Sequence, residues 1–279
     1  MKRFAVLGHP IGHSFSPVMH TASFKSIGFE GEYTRRDVPP ETLREALSAL
    51  AAEGLTGVNL TIPHKQLAVP MMDALTPEAE RLGAVNTVLF KDGKMYGHNT
   101  DGPGFLAATK ALFDFEPQGK KAVVIGSGGA GRAIALSLAH GGVTWLGLMD
   151  IDATRATSLA EEISNTSAAR AERITVERLS EADLVAQCSP SGLAIMPEPA
   201  APASAFRADQ VLYDIVIPPG APETPTMRAY REAGGTHCAN GVRMLVEQGA
   251  LAFEFWTDGI RADREAMLKA VEEGVARHG

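Results

Sequence analysis

Short apolar runs alternate with amphipathic helical patterns along almost the whole chain. In the first part of the chain, strands are predicted at 4–8, 32–38 and 57–63 and in a hairpin over 84–99 that turns at Asp92-Gly93. Helices are predicted at 16–28, 40–54, 64–75 and 100–113. For the first helix we expect Ser16 as the N-cap and Pro17 at the first helical position.

After Pro117 the pattern becomes strand, glycine turn and helix over 120–142. Further strands are predicted at 144–150, 182–189 and 210–217. Further helices are predicted at 153–164, 224–235 and 241–259, with a terminal helix of about 20 residues. Strands that alternate with helices predict an α/β fold with parallel sheets and right-handed crossovers.

Composition narrows the class of protein. A length of 279 residues favours about two domains. The net charge of −7 argues against a nucleic-acid or membrane-surface partner, and no apolar run approaches the ~18 residues of a membrane helix. Neither the two cysteines nor the eight histidines have metal-motif spacing, so no metal is predicted, and a cytoplasmic location is expected.

The stretch VVIGSGGAG contains Gly126, Gly128 and Gly131 in G-x-G-x-x-G spacing, after a predicted strand and at the start of a predicted helix. In that context the first glycine permits a tight turn and the second lets the backbone approach a pyrophosphate. The third permits close packing of helix on strand, while the helix N-terminus faces the anion. The motif therefore predicts dinucleotide binding.

Asp150 ends the next predicted strand, about 20 residues further on, where a carboxylate can accept hydrogen bonds from a ribose 2′-hydroxyl. A carboxylate repels a 2′-phosphate, and Asp152 adds to that repulsion unless it serves only as a helix N-cap. Arg155 is the nearby cation, expected one turn into the helix. These residues predict that NAD is the cofactor and that NADP is less favoured.

Polar side chains gather at the ends of the first strands. Ser14 and Ser16 precede a helix, where hydroxyls and free backbone N–H groups can hold a carboxylate. The others are Asn59, Thr61, Lys65, Asn86, Asn99, Thr100 and Asp101. Each alone has an ordinary explanation as a cap, a turn or a surface residue. Together they are neutral hydrogen-bonding groups around one lysine and one aspartate, which suits a small polyhydroxylated acid.

In combination and order, several stretches resemble the shikimate dehydrogenase family along nearly the whole chain. They are GHPIGHSFSPVMH, NLTIPHK, GAVNT, HNTDGPG, GSGGAGRA and NGVRMLVEQG. The resemblance implies an N-terminal α/β substrate domain, 1–101 with 241–279, to which the C-terminal helices return. It also implies a Rossmann-type nucleotide-binding domain, 102–240, with the active cleft between the two. The implied activity interconverts 3-dehydroshikimate and shikimate, and in some members oxidises quinate.

The resemblance also implies site residues. Lys65 and Asp101 match the catalytic pair, with Lys65 as the proton carrier, and Ser14 and Ser16 match the residues that hold the substrate carboxylate. Further substrate contacts are implied at Asn59, Thr61, Asn86 and Gln248. The cofactor positions are Gly126, Gly128, Gly129, Ala130, Gly131, Asp150 and Gly241, the last near the nicotinamide.

Three departures from the family pattern keep alternatives open. Asp150-Ile151-Asp152 stands where the family has Asn-Arg-Thr, Gln187-Cys188-Ser189 replaces Asn-Ala-Thr, and Ile217 replaces a tyrosine. The first departure resembles the NAD-using quinate/shikimate branch. A paralogue that oxidises another cyclic hydroxy acid and a non-catalytic nucleotide-binding sensor remain alternatives. Either a monomer or a homodimer is compatible with the sequence.

Overall fold

The computed structural model describes residues 1–12, 14–218, 220 and 222–277. The chain divides into two compact units. Unit 1 contains Met1–Gly104 and Leu245–Gly274. Unit 2 contains Phe105–Met244 and the end of the chain from Val275.

Unit 1 is built on a six-stranded sheet with the strand order β2-β1-β3-β5-β6-β4. Its strands are β1 Lys2–Gly8, β2 Gly31–Asp37, β3 Gly57–Leu60, β4 Ala74–Leu75, β5 Thr87–Lys91 and β6 Lys94–His98. Strands β1, β2 and β3 are parallel, and β5 runs antiparallel to both β3 and β6. Asp92 and Gly93 turn the β5–β6 hairpin with positive φ angles of 52° and 71°, as the Asp-Gly pair predicts.

The helices of unit 1 cover both faces of this sheet. They are α1 Ser16–Ser26, α2 Leu43–Ala52, α3 His64–Leu67, α4 Pro77–Leu82 and the start of α5 Asp101–Phe113. Side chains alternate between the faces of a strand, so Ala5 and Leu7 of β1 pack with the leucine stripe of α2, while Phe4 lies on the opposite face.

The C-terminal helices α9 Val242–Trp256 and α10 Arg264–Arg277 supply most of the remainder of unit 1. The Trp256 indole stacks on Phe4 with a centroid distance of 4.9 Å and donates a hydrogen bond of 2.9 Å to the Val88 carbonyl. Position 57 must be glycine, because a Cβ there would lie 2.3 Å from Trp256 Nε1. The predicted return of the C-terminal helices to the first unit is confirmed.

Unit 2 contains a six-stranded, wholly parallel sheet with the order β12-β11-β10-β7-β8-β9. Its strands are β7 Lys121–Ile125, β8 Trp145–Met149, β9 Arg170–Arg173, β10 Leu184–Gln187, β11 Val211–Asp214 and β12 Cys238–Ala239. Its helices are the remainder of α5, α6 Gly129–His140, α7 Ala153–Thr166, α8 Pro225–Glu232 and the start of α9. The strand order reverses between β7 and β10, where Rossmann-type sheets bind ligands beyond the strand ends.

Several element predictions need correction. The single helix predicted over 64–75 is the short α3, a 3-10 turn at Val69–Met71 and strand β4, because Pro70 has no N–H to continue a helix. Strands β9 and β12 and helix α4 were not predicted. These elements are short, and the four residues of β9 are all polar or partly exposed, so no apolar period marks them.

No helix in the described ranges is both long enough and apolar enough to cross a membrane.

Candidate functional site

Lys65 and Asp101 form an ion pair in unit 1. Lys65 Nζ lies 2.7 Å from Asp101 Oδ2, and the two side chains are 16% and 6% exposed. Lys65 is the second residue of α3, and Asp101 is the first residue of α5, where the helix dipole favours a negative charge. The Asp101 backbone N–H donates to Asn99 Oδ1 at 2.9 Å, and Asn99 is anchored to the Ala84 carbonyl. The sequence-predicted pair is therefore brought together.

Asn86 holds the other oxygen of the same carboxylate. Its Nδ2 donates to Asp101 Oδ1 at 3.0 Å and to Thr100 Oγ1 at 2.9 Å. Its Oδ1 accepts the Thr100 backbone N–H at 2.8 Å, which fixes the amide orientation. One lysine and one amide thus orient the carboxylate, with the lysine beside it still partly exposed.

Gln248 reaches this group from α9. Its Oε1 lies 3.4 Å from Asn86 Nδ2, and its Nε2 donates to the Leu245 carbonyl at 2.8 Å. Helices α5 and α9 come this close because Gly104 has no side chain, since a Cβ there would lie 2.7 Å from the Gln248 Cβ. Gln248 therefore joins the predicted cluster from a distant part of the chain.

Asn59 lies in β3, and Thr61 directly follows it. Asn59 is buried, and its Nδ2 donates to the Asn86 carbonyl and to Thr87 Oγ1, both at 3.1 Å. Its Oδ1 accepts a hydrogen bond of 2.7 Å from the Tyr33 hydroxyl. Because Nδ2 is already bonded twice, only Oδ1 can form a further hydrogen bond, as an acceptor. Thr61 lies beyond the strand end and is half-buried.

Ser14 and Ser16 lie at the start of α1. The helix begins at Ser16, and the capping position belongs to Phe15, which makes no side-chain cap, so the predicted N-cap role of Ser16 is wrong. The serine that accepts a helix N–H is Ser14, whose Oγ lies 3.3 Å from the Ser16 nitrogen. The Arg35 guanidinium donates two hydrogen bonds, of 3.1 and 2.6 Å, to the Ser14 carbonyl and holds this loop against β2.

The described part of unit 1 thus presents two kinds of chemistry. Two serine hydroxyls and the N–H groups of an eleven-residue helix suit a carboxylate. A lysine paired with an oriented carboxylate can exchange a proton with an oxygen atom, and the amides around it can hydrogen-bond hydroxyl groups.

Sequence reasoning missed Arg35, Tyr33 and Thr87 as parts of this region. The available signals were a threonine directly after Asn86 in a buried strand and an aromatic hydroxyl in β2. Neither signal identifies a hydrogen-bond partner, because the partners belong to other strands.

In unit 2 the glycine turn has the shape that its motif predicts. Gly126 has a φ of +95°, which strongly favours glycine, and a Cβ at Gly131 would lie 1.8 Å from the Gly126 carbonyl oxygen. A Cβ at Gly128 or Gly129 would meet no described atom within 4 Å. The backbone at the start of α6 therefore has open space in front of it.

The same loop contains a buried hydroxyl, Ser127 Oγ, with no hydrogen-bond partner in the described residues. An open glycine cradle, a helix N-terminus and an unpartnered hydroxyl fit the diphosphate of a dinucleotide. Gly129 and Ala130 form the first two positions of α6, where the free N–H groups lie.

Asp150 has backbone partners. Its Oδ2 accepts the Ser127 N–H at 2.6 Å and its Oδ1 accepts the Asp152 N–H at 2.9 Å, so it ties the loop after β8 to the glycine turn. Asp152 caps α7 by accepting the N–H groups of Thr154 and Arg155 at 3.0 and 3.1 Å. The Arg155 side chain is 56% exposed and lies 3.7 Å from the Asp152 carboxylate.

Gly241 packs against the loop after β11. A Cβ there would lie 2.1 Å from the Ile215 carbonyl oxygen and 3.1 Å from Ile217 Cγ1. On the neighbouring strand, Gln187 organises the following loop, since its Nε2 donates to the carbonyls of Ser189 and Ser191, both at 3.1 Å. The unusual Gln187-Cys188-Ser189 stretch therefore forms a closed, internally bonded loop.

Burial shifts the pKa of His20 in unit 1 and of Asp214 in unit 2. It lowers the pKa of His20, which is stacked on Tyr33 at 4.3 Å in unit 1, to about 3. In unit 2 burial raises the pKa of Asp214 to about 6, although hydrogen bonds, first of all from Thr224, work in the opposite direction. In the part of the chain that the structure describes, no group of three or more His, Cys, Asp or Glu residues could hold a metal ion.

Models of known protein families match almost the whole chain. A family model described as the shikimate dehydrogenase substrate binding domain matches residues 6–88. A second, described as shikimate / quinate 5-dehydrogenase, matches residues 107–230, and a third, described as the shikimate 5′-dehydrogenase C-terminal domain, matches residues 241–272.

Relatives of known name agree with these matches. A shikimate dehydrogenase (NADP(+)) from Methanopyrus kandleri is 41% identical over 276 residues, covering 96% of this chain and 94% of the relative. The structure of shikimate 5-dehydrogenase from Thermus thermophilus in complex with NADP(H) and shikimate has a TM-score of 0.89 and 40% identity, covering 98% and 100% of the two chains. Quinate dehydrogenase from Corynebacterium glutamicum in complex with NAD has a TM-score of 0.87 and 29% identity, covering 98% and 99%.

The predicted preference for NAD is wrong. Eight relatives that are 36–41% identical are all named shikimate dehydrogenase (NADP(+)). The physical argument failed because it treated the Asp150 and Asp152 carboxylates as free charges. Both oxygens of Asp150 accept backbone N–H groups of its own loops, and Asp152 caps α7, so their repulsion of a 2′-phosphate is partly offset.

Proposed function

Because the chain belongs to the shikimate dehydrogenase family, we propose that it is an NADP-dependent oxidoreductase that interconverts 3-dehydroshikimate and shikimate. The observation that carries this proposal is the 2.7 Å contact of Lys65 with Asp101, inside a cluster of amides and hydroxyls. A sensor without catalytic activity has no need of this oriented pair. Residues 1–101 with 241–279 form the substrate domain in this proposal, and 102–240 form the nucleotide-binding domain.

The nicotinamide, when bound, supplies or accepts the hydride at the reacting ring carbon. The oxygen on that carbon gains a proton on reduction and loses it on oxidation. Lys65 donates or accepts that proton at Nζ, and Asp101 keeps the ammonium in place through its Oδ2. General acid–base catalysis by a positioned side chain is typically worth about 10²–10⁴ in rate.

Substrate orientation follows from the two kinds of chemistry in unit 1. Ser14, Ser16 and the start of α1 bind the carboxylate. The ring hydroxyls are bound near Lys65 and Asp101 by the remaining predicted contacts, which are Asn59, Thr61, Asn86 and Gln248. Of these, Asn86 already donates to the Asp101 carboxylate, so a hydroxyl bound there contacts a group held in one orientation.

The glycine turn and the start of α6 hold the diphosphate of the cofactor, at Gly126, Gly128, Gly129, Ala130 and Gly131. Arg155 is the residue we assign to the 2′-phosphate, because its exposed guanidinium lies in the first turn of α7. Its present partner, Asp152, is a competing anion, so we expect the preference for NADP over NAD to be modest.

Quinate is a second candidate substrate, supported by the similarity to quinate dehydrogenase over nearly the whole chain. The test is one spectrophotometric assay of the purified protein at the absorbance band of the reduced nicotinamide. Each acid, shikimate and quinate, is combined with each cofactor, NADP and NAD. The expected result is the highest kcat/KM with shikimate and NADP. If neither shikimate nor quinate is turned over, the proposal is contradicted and a paralogue or a sensor is favoured.

Arg155→Ala tests the assignment of the 2′-phosphate. The expected result is a KM for NADP raised about tenfold, the size of one lost charged contact, with the KM for NAD unchanged. Arg173→Ala, on the edge strand β9, serves as the surface control. If the KM rises equally for NADP and NAD, Arg155 supports the local structure and does not bind the 2′-phosphate.

A further inference from the structure

A chain of buried hydrogen bonds in unit 1 ends at the Asp101 carboxylate. We call its members, Tyr33, Asn59, Thr87, Asn86 and Asp101, the polar chain. Its successive heavy-atom distances are 2.7, 3.1, 2.9 and 3.0 Å. All five residues are buried, and Lys65 meets the far oxygen of the last one at 2.7 Å.

The sheet register explains why these side chains meet. Asn59 of β3 pairs with Thr87 of β5 on one side and with Val6 of β1 on the other. Tyr33 of β2 pairs with Phe4, which lies on the same face of β1 as Val6. Tyr33, Asn59 and Thr87 therefore lie on one face of the sheet, and this part of the polar chain extends across β2, β1, β3 and β5.

The two amides of the polar chain have fixed orientations. Asn59 Nδ2 faces the Asn86 backbone carbonyl at 3.1 Å, and a carbonyl oxygen can only accept. Asn86 Oδ1 faces the Thr100 backbone N–H at 2.8 Å, which can only donate. Turning either amide over would set two acceptors or two donors against each other.

The hydroxyl hydrogens are fixed in consequence. Thr87 Oγ1 accepts from Asn59 Nδ2, so its own hydrogen must point to Asn86 Oδ1. Tyr33 faces Asn59 Oδ1, which can only accept, so Tyr33 donates. Every link of the polar chain donates in one direction, and the last acceptor is the Asp101 carboxylate. Hydrogen bonds aligned in this way polarise one another.

We propose that the polar chain is a positioning relay, in which Tyr33 and Thr87, acting through Asn59 and Asn86, hold the Asp101 carboxylate in the orientation that Lys65 requires. This inference rests on the proposed function, because it assigns Asp101 the role given there. Tyr33 and Thr87 are positioning residues in this relay and do not contact the substrate.

Thr87→Val tests the relay by removing one hydroxyl with almost no change in shape. The expected result is a kcat for shikimate lowered about tenfold, the size of one lost buried hydrogen bond, with KM little changed because the serine pair is intact. Thr87→Ser retains the hydroxyl and should restore most of kcat. Thr109→Val is the matched control, since Thr109 is also fully buried but its hydroxyl donates only to the Leu106 carbonyl within α5.

A double-mutant comparison tests whether the links act as one unit. Tyr33→Phe alone should lower kcat several-fold. In the Thr87→Val background the same substitution should leave kcat unchanged, because the path to Asp101 is already broken. Additive losses, or a Thr87→Val enzyme with the kcat of the wild type, overturn the relay.

A second measurement needs no turnover. In nuclear magnetic resonance spectra of the unliganded protein, Tyr33→Phe should shift the side-chain amide signals of both Asn59 and Asn86, while Thr109→Val should shift neither. An Asn86 signal that does not move overturns the relay. A wild-type protein inactive with shikimate contradicts the proposed function instead, so the two failures are distinguishable.

Discussion

In unit 1 the carboxylate of Asp101 is held by side chains, whereas in unit 2 the carboxylate of Asp150 is held by backbone N–H groups. Both residues closely follow strands and were predicted to contact ligands. The side chains around Asp101 include a cation that is still partly exposed, so the pair can act on a bound molecule. The partners of Asp150 are backbone N–H groups of its own loops, so its carboxylate has a structural role in the cofactor loop. An aspartate at a strand end is therefore identified as functional by its partners and not by its position.

The same contrast, between side-chain and backbone groups, holds for the candidate sites of the two units. The candidate site of unit 1 is a network of side chains that includes residues of β2, β3, β5, α3, α5 and α9. The predicted site of unit 2 is mainly backbone, with glycines that leave space and an aspartate that ties two loops together. Single side-chain changes should therefore alter the chemistry in unit 1 and the shape of the cofactor loop in unit 2.

The largest effect is expected from Lys65→Ala. Loss of the proton carrier should lower kcat at least ~10²-fold with little change in KM. Lys110→Ala is the matched control, because Lys110 also pairs with an aspartate, Asp114, but is half exposed on α5. Steady-state kinetics of both variants provide the measurement. Near-normal kcat in Lys65→Ala excludes the proton-carrier role.

A smaller effect, on a different quantity, is expected from Asp150→Ala. The N–H groups of Ser127 and Asp152 lose their acceptor, which should lower the free energy of unfolding by about 1–3 kcal/mol and weaken NADP and NAD alike. Asp152→Ala, which removes only the cap of α7, should cost about 1 kcal/mol. Calorimetry of unfolding and titration with each cofactor measure both. A loss confined to NAD would restore Asp150 as a ribose contact.

Acid should weaken unit 1 through His20. Burial lowers the pKa of His20 from 6.5 to about 3, so the folded state binds this proton less readily than the unfolded chain. The stability linked to His20 is complete above pH 6.5 and is lost as the pH falls from 6.5 towards about 3. Hydrogen exchange in β1 and β2, followed by mass spectrometry and corrected for the intrinsic exchange rate at each pH, should show lower protection as the pH falls over that range. His20→Phe, which keeps a ring against Tyr33, should flatten the response.

The smallest effect is expected in unit 2, with the opposite sign. Burial raises the pKa of Asp214 from 3.8 to about 6, so the folded state retains the proton longer than the unfolded chain does. The stability linked to Asp214 is complete below pH 3.8 and is lost as the pH rises through about 6. Asp214→Asn cannot ionise and should remove this dependence in hydrogen exchange of β10 and β11. Parallel pH responses of the two units would contradict the contrast between them.

The amino-acid sequence by itself determined the α/β class, most of the strands and the places where chemistry is concentrated. Apolar runs that alternate with amphipathic segments are local signals, and the glycine spacing at 126–131 is a local steric requirement that Gly126 and Gly131 meet in the structure. The pairing of Lys65 with Asp101 was also accessible from the sequence, because both residues match the catalytic pair of the family that the motifs resemble.

Tertiary structure alone decided which polar groups remain available. The Asp150 carboxylate was assigned to a ribose, but its partners are the Ser127 and Asp152 N–H groups. Asn59 is assigned to the substrate, and because its amide nitrogen is bonded within the sheet, only its Oδ1 has capacity left for a hydroxyl. The sequence specifies the type of each side chain, whereas its hydrogen-bond partners belong to neighbouring strands and loops. The fold therefore determines which donors and acceptors are left for a ligand.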